Sequence, residues 1–98
     1  MVRNKMRPIH PGEHLREELA ELGLSARAFA CALHVPVNRI TGILNERRAV
    51  TADTALRLAR YFGTTPEFWL NLQTAYELRR AWKKVGRVIE RKVAPHAA

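Results

Sequence analysis

Asn38, Arg39 and Thr41 stand in one short stretch behind Val37. Together they carry the groups that read base edges: Asn bonds adenine in a bidentate way, Arg bonds guanine, and the methyl of Thr or Val meets thymine. At about 100° per residue with Ile40 as zero, Ile43 and Leu44 fall within about 60° of it, while Asn38, Gly42 and Asn45 lie between about 140° and 200°. Arg39 and Thr41 flank that outer face at roughly 100° to either side. One side of this segment is therefore fit for a core, and the other for a nucleic-acid groove, with Gly42 permitting close approach. Arg47 and Arg48, just beyond the segment, are placed for phosphates, as is Arg27 upstream. The free backbone N–H groups around Ser25 and Ala26 can also meet a phosphate. The plainer readings are a solvated loop for Arg47 and Arg48 and a merely polar outer face for Asn38 and Arg39.

Other constellations carry less. His10 and His14 are four apart, but Pro11-Gly12 interrupts any helix between them and no third ligand is evident, so neither metal nor cofactor is expected. Cys31, the single cysteine, has no assigned base and reads as a small buried apolar residue. No paired carboxylates in an apolar setting, triad or phosphate-cradling glycine cluster occurs, which argues against an enzyme. No apolar run approaches a membrane span and none follows the basic start, so neither membrane nor export is expected, and a cytoplasmic location fits.

These residues need a scaffold, and the chain is sized for one domain: 98 residues, 47% hydrophobic and 27% charged. Its net charge of +8 favours a polyanionic partner. Residues 1–24 carry as many acidic as basic side chains, and the excess divides equally between 25–64 and 65–98.

The pattern predicts helices almost throughout. Pro11-Gly12-Glu13 opens the first, which places Leu15, Leu19 and Leu22 on one stripe and stops at Gly23. Ser25 caps the second, with Phe29, Ala30 and Leu33 inward. The third runs from about Val37 to Leu44. Thr51 caps the fourth, with Ala52, Ala55, Leu56, Ala59 and Phe62 inward and Gly63 at its end. Thr65-Pro66-Glu67 opens the fifth, which carries Phe68, Trp69, Leu72 and Tyr76 as core or partner seam. Trp82 either packs back on the domain or enters a partner interface. Residues 83–98, interrupted by Gly86 and Pro95, read as a frayed basic tail that is solvated or reaches DNA. The organisation is a flexible segment over 1–8, a helix-turn-helix domain over 9–82 and the tail.

Residues 9–73 resemble the HigA/VapI antitoxins of type II toxin–antitoxin modules, within the lambda-repressor-like (XRE) helix-turn-helix family. The segments that carry this are Ile9-His10-Pro11-Gly12-Glu13, Val35-Pro36-Val37-Asn38-Arg39-Ile40-Thr41, Thr51 through Ala59 and Tyr61 through Gln73. The resemblance implies an all-α, five-helix domain that homodimerises, binds double-stranded operator DNA in its own promoter and neutralises a RelE-like ribonuclease toxin. It implies base contacts from Val37, Asn38, Arg39, Thr41 and Gly42, and a dimer interface over Phe68, Trp69, Leu72 and Tyr76. Three departures stand out: His34 where the turn often has Gly, Asn45-Glu46 in place of Asn-Gly, and Ala26 in place of a polar residue. The alternatives are a stand-alone repressor of the same family, or a toxin-masking module with secondary DNA binding. In the masking reading, Glu13, Glu17, Glu18 and Glu21 form the toxin-facing patch.

Overall fold

The computed structural model describes residues 7–97, and most of the 1–8 segment lies outside them. Five helices build the domain: α1 (Pro11–Leu22), α2 (Ala26–Leu33), α3 (Val37–Leu44), α4 (Ala52–Phe62) and α5 (Pro66–Ala81). A π-helical turn (Trp82–Gly86) and α6 (Arg87–Lys92) continue α5.

The helix ends follow from local chemistry. His10 caps α1 through its ring: Nδ1 accepts from the Gly12 N–H at 2.9 Å, with Pro11 supplying the first helical residue. Ser25 Oγ accepts from the Ala28 N–H at 3.1 Å, and Thr65 Oγ1 accepts from the Phe68 N–H at 3.2 Å. Gly23, at φ 70°, ends α1 in the left-handed region. His34 takes the same conformation at φ 59° to end α2. After α3 the left-handed seat belongs to Glu46, at φ 61°, and not to Asn45.

The core joins Leu15 and Leu19 of α1, Phe29, Ala30 and Leu33 of α2, Ile40 and Ile43 of α3, Val50, Ala55 and Leu58, and Trp69. Several expected inward residues lie elsewhere. Leu22 is exposed because α1 leaves the core one turn after Leu19. Leu56 is 60% exposed, since the buried line of α4 runs through Ala55, Leu58 and Ala59, about 100° away. Cys31 is exposed on the small-residue face of α2, beside Ala28 and Ala32, and so is not the core residue expected.

The expected frayed tail is helical to Lys92. Gly86 permits this rather than breaking it: a Cβ there would sit 2.2 Å from the Trp82 ring, so the ring lies over the bare backbone at the π turn. Lysines and arginines near a helix C-terminus also suit the dipole. The rod makes the molecule long, with extents of 52 × 26 × 23 Å. Its radius of gyration is 16.4 Å, against about 13 Å for a compact chain of this length.

Candidate nucleic-acid interface

The inner face and both ends of α3 are anchored. Ile40 and Ile43 are fully buried, which fixes the roll of α3. Gly12 lets α1 meet α3 backbone to backbone: a Cβ at residue 12 would stand 2.0 Å from the Ile43 carbonyl oxygen. Arg16 of α1 reaches the free C-terminal end of α3, donating to the Leu44 carbonyl at 2.6 Å. The N-terminal end of α3 follows the tight turn in which Val35 N–H donates to the Ala30 carbonyl at 3.1 Å.

Against that anchored face, Asn38 and Asn45 are exposed, and Val37, Arg39, Thr41 and Gly42 are half-buried. Thr41 Oγ1 lies 3.5 Å from the Asn38 carbonyl, a marginal bond that leaves the hydroxyl largely available. Arg39 is not a free side chain. Its Nη1 donates to Asp53 Oδ1 at 2.6 Å, and Arg57 Nε donates to the same oxygen at 2.8 Å. The Arg57 and Arg39 guanidiniums together hold the Asp53 carboxyl below the usual range. Arg57 also donates to the Leu33 carbonyl at 2.9 Å, closing the end of α2. A single carboxylate thus ties α3 to α4, and through Arg57 to α2.

Gly42 also has a structural role. Its carbonyl accepts from the N–H groups of Arg47 at 2.8 Å and Arg48 at 3.1 Å, and the Arg48 side chain lies 3.2 Å from where a Cβ would be. Gly42 therefore receives the returning loop, and Arg48 covers it. Arg47 and Arg48 remain exposed, as do Ser25 and Arg27 at the start of α2. Glu46 is exposed in the same loop, an acid close to the two arginines.

Two positioning residues, Arg57 and Gln73, have no individual role in the sequence reading, and His10, weighed there only as half of a metal-like pair, is a third. Arg57 was legible as the i+4 partner of Asp53. Gln73 is buried and its Oε1 accepts from the Val50 N–H at 2.8 Å, pinning the end of the α3–α4 loop to α5. Its position four residues after Trp69 placed it on the core stripe, but its polar type concealed it. His10 is 2% exposed and packs edge-on against Tyr76, with ring centroids 4.7 Å apart. Burial pushes its pKa below the ordinary histidine value.

The expected partner seam on α5 divides. Trp69 is a core residue, 1% exposed, with its indole N–H donating to Thr64 Oγ1 at 3.0 Å, so it has no surface to offer a second chain. Phe68 is exposed, and Leu72 and Tyr76 are half-buried. Among the described residues no three His, Cys, Asp or Glu side chains are grouped to hold a metal, and no helix is long and apolar enough to cross a membrane.

A short helix with its inner face locked and a polar outer face, set behind a second helix across a tight turn, is a helix-turn-helix. The helix-turn-helix family model matches residues 15–69. Virulence-associated protein I of Dichelobacter nodosus is 60% identical over 80 residues, spanning 81% of this chain and 74% of that one. An addiction module antidote protein of the HigA family from Coxiella burnetii superposes with a TM-score of 0.91 at 61% identity, over 93% of this chain and all of that one. Pseudomonas aeruginosa antitoxin HigA, solved with the higBA promoter, gives 0.89 at 46% identity, over 93% of this chain and all of that one. The chain belongs to the HigA-type antitoxins of the XRE helix-turn-helix family, which are not known as enzymes.

Proposed function

We propose that this chain is a DNA-binding antitoxin that represses its own operon and neutralises a RelE-like ribonuclease toxin. The reading is carried by the outer face of α3: Asn38 and Thr41 beside a salt-bridged Arg39, on a helix anchored by fully buried Ile40 and Ile43. The promoter-bound HigA relative supports it. In this reading Val37, Asn38, Arg39 and Thr41 face the bases. Asn45, Arg47, Arg48, Arg27 and the α2 N-terminus at Ser25 meet phosphates. Gly42 serves by seating the phosphate loop. Arg39 exchanges or shares its Asp53 partner when it meets a guanine.

The chain acts as a homodimer, because two recognition helices about 34 Å apart read successive major grooves of a palindromic site. The exposed side of α5, with Phe68, Leu72 and Tyr76, contributes to the seam.

Two experiments test the two halves. A gel shift with the DNA upstream of the gene should give a discrete complex that Arg39→Ala weakens by about 1–3 kcal/mol with relaxed base preference; equal affinity for unrelated DNA rules out operator recognition. Co-purification with the product of the adjacent reading frame should yield a stable complex without ribonuclease activity. No complex leaves a stand-alone repressor.

A further inference from the structure

Leu56 of α4, 60% exposed, stands in the wall of a groove of about 410 Å³ between the end of α2 and the outer face of α4. Ala32 and Tyr61 give the groove its other exposed apolar walls, and the Tyr61 ring is held edge-on against Phe29, with centroids 5.2 Å apart. The charged lining is Asp53, Arg57 and Arg60, together with His34, the cap of α2, which adds no negative charge. Asp53, Leu56, Arg57 and Arg60 fall at i, i+3, i+4 and i+7, one outward stripe of α4.

The one carboxylate of the groove is already taken. Asp53 Oδ1 accepts from both Arg39 and Arg57, and Arg57 Nη1 turns to the Leu33 and His34 carbonyls at 2.9 and 3.3 Å. Arg57 Nη2 and the whole Arg60 guanidinium have no acceptor among the described residues. One acid therefore faces three arginines, and the unmatched positive charge lies beside apolar walls. That is the complement of an apolar body with a carboxylate at one end. The volume falls within the roughly 300–1,000 Å³ of small-ligand sites, whereas a stable protein interface takes about 20–30 residues a side.

We propose that this groove binds a small amphipathic carboxylate, with its chain against Leu56, Ala32 and Tyr61 and its carboxylate on Arg60 and Arg57 Nη2. The site is linked to the recognition helix through one atom, Asp53 Oδ1. A ligand carboxylate competes with Asp53 for Arg57, and Asp53 then holds Arg39 the more tightly. Arg39 is thereby withheld from a guanine, so the ligand lowers the preference for the operator. The site itself needs only the groove; the coupling rests on the base-reading role of Arg39 given above.

Titration of the full chain with octanoate, followed by backbone amide NMR, tests it. Octanoate should shift Ala32, Leu56, Arg57, Arg60 and Tyr61 with a Kd of about 1 mM or tighter. Butyrate, with a shorter chain, and octylamine, with the opposite charge, should each bind at least about tenfold more weakly. Arg60→Gln and Leu56→Ser, both at exposed positions, should each raise the octanoate Kd roughly fivefold or more, with the thermal melt unchanged. At fixed ionic strength, saturating octanoate should cut the preference for upstream over scrambled DNA about fivefold. It should leave the preference of Arg39→Ala unchanged, although that variant keeps the octanoate shifts. Shifts scattered over the surface, or equal shifts with octylamine, overturn the site. No shift overturns it too; if Leu56→Ser then breaks the complex with the product of the adjacent reading frame, the groove belongs to a protein partner. Groove binding with operator preference intact overturns the coupling. A wild type with no operator preference removes the coupling together with the repressor reading, while the octanoate shifts still decide the site.

Discussion

Gly12→Ala should injure this protein more than any other single-methyl change. The added Cβ would stand 2.0 Å from the Ile43 carbonyl oxygen, a backbone atom, and 3.1 Å from His10 Nδ1. A carbon–oxygen contact needs about 3.3 Å, so α1 and α3 must part by somewhat more than 1 Å at this point. They cannot do so freely, because Leu15, Ile40 and Ile43 are fully buried between them. Overpacking of this kind costs about 1–3 kcal/mol, and loosening the His10 cap adds about 1 kcal/mol. Replacing helical glycine returns at most about 1 kcal/mol. The net loss of about 1–4 kcal/mol corresponds to a fall in Tm of roughly 4–30 °C for a domain of this size. Circular dichroism melting reads it directly. Gly42→Ala is the milder comparison: its Cβ would stand 3.2 Å from Arg48 Cβ, which a shift of a few tenths of an ångström relieves, and 3.6 Å from Arg48 Cδ and Nε, which can move into solvent. Gly42→Ala should therefore melt within a few degrees of wild type. If Gly12→Ala does the same, the close approach of α1 and α3 is not what fixes the recognition helix.

Three other perturbations probe the framework. His10 is held neutral in the fold, below the ordinary value near 6.5, so the unfolded chain binds the extra proton first. Stability is then full above that value and falls as pH drops below it; His10→Asn, which keeps a capping acceptor, should flatten this part of a Tm-against-pH curve. Gln73→Leu strands the buried Val50 N–H and should cost about 1–3 kcal/mol in denaturant unfolding, with weaker DNA binding as the α3–α4 loop loosens. An unchanged midpoint would show that Val50 finds another acceptor. Arg48→Ala should weaken binding to all DNA alike and lower the salt slope by about one unit; a sequence-dependent loss would place Arg48 on a base.

The helices and their order were legible because each end carries its own signal: Ser25, Thr51 and Thr65 as caps, Pro11 and Pro66 at first positions, Gly23 and Gly63 at ends. The roll of α3 was legible from periodicity, and Ile40 and Ile43 are buried while Asn38 and Asn45 are exposed. What escaped were side chains acting across the fold. The Arg39–Asp53 pair links residues fourteen apart and Gln73 meets Val50 across twenty-three, separations at which one sequence has no register. Leu56 and Leu22 misled because apolar type was taken for burial. Trp69 is ambiguous in sequence because aromatic residues serve both core and seam, and only its packing against Phe62 within the buried cluster separates them. The rod escaped because glycine was counted as a helix breaker, whereas Gly86 is the seat of the Trp82 ring.

Sequence reading by the outer face of α3 is a difference in affinity between two duplexes. Fluorescence anisotropy at fixed salt, with the DNA upstream of the gene and a scrambled duplex of equal length, measures it most directly. A base-reading α3 gives a preference of at least about a thousandfold for the upstream site, with Asn38→Ala removing much of that preference and leaving the scrambled affinity unchanged. Equal affinity for both duplexes, or a loss in Asn38→Ala shared equally by both, would contradict it.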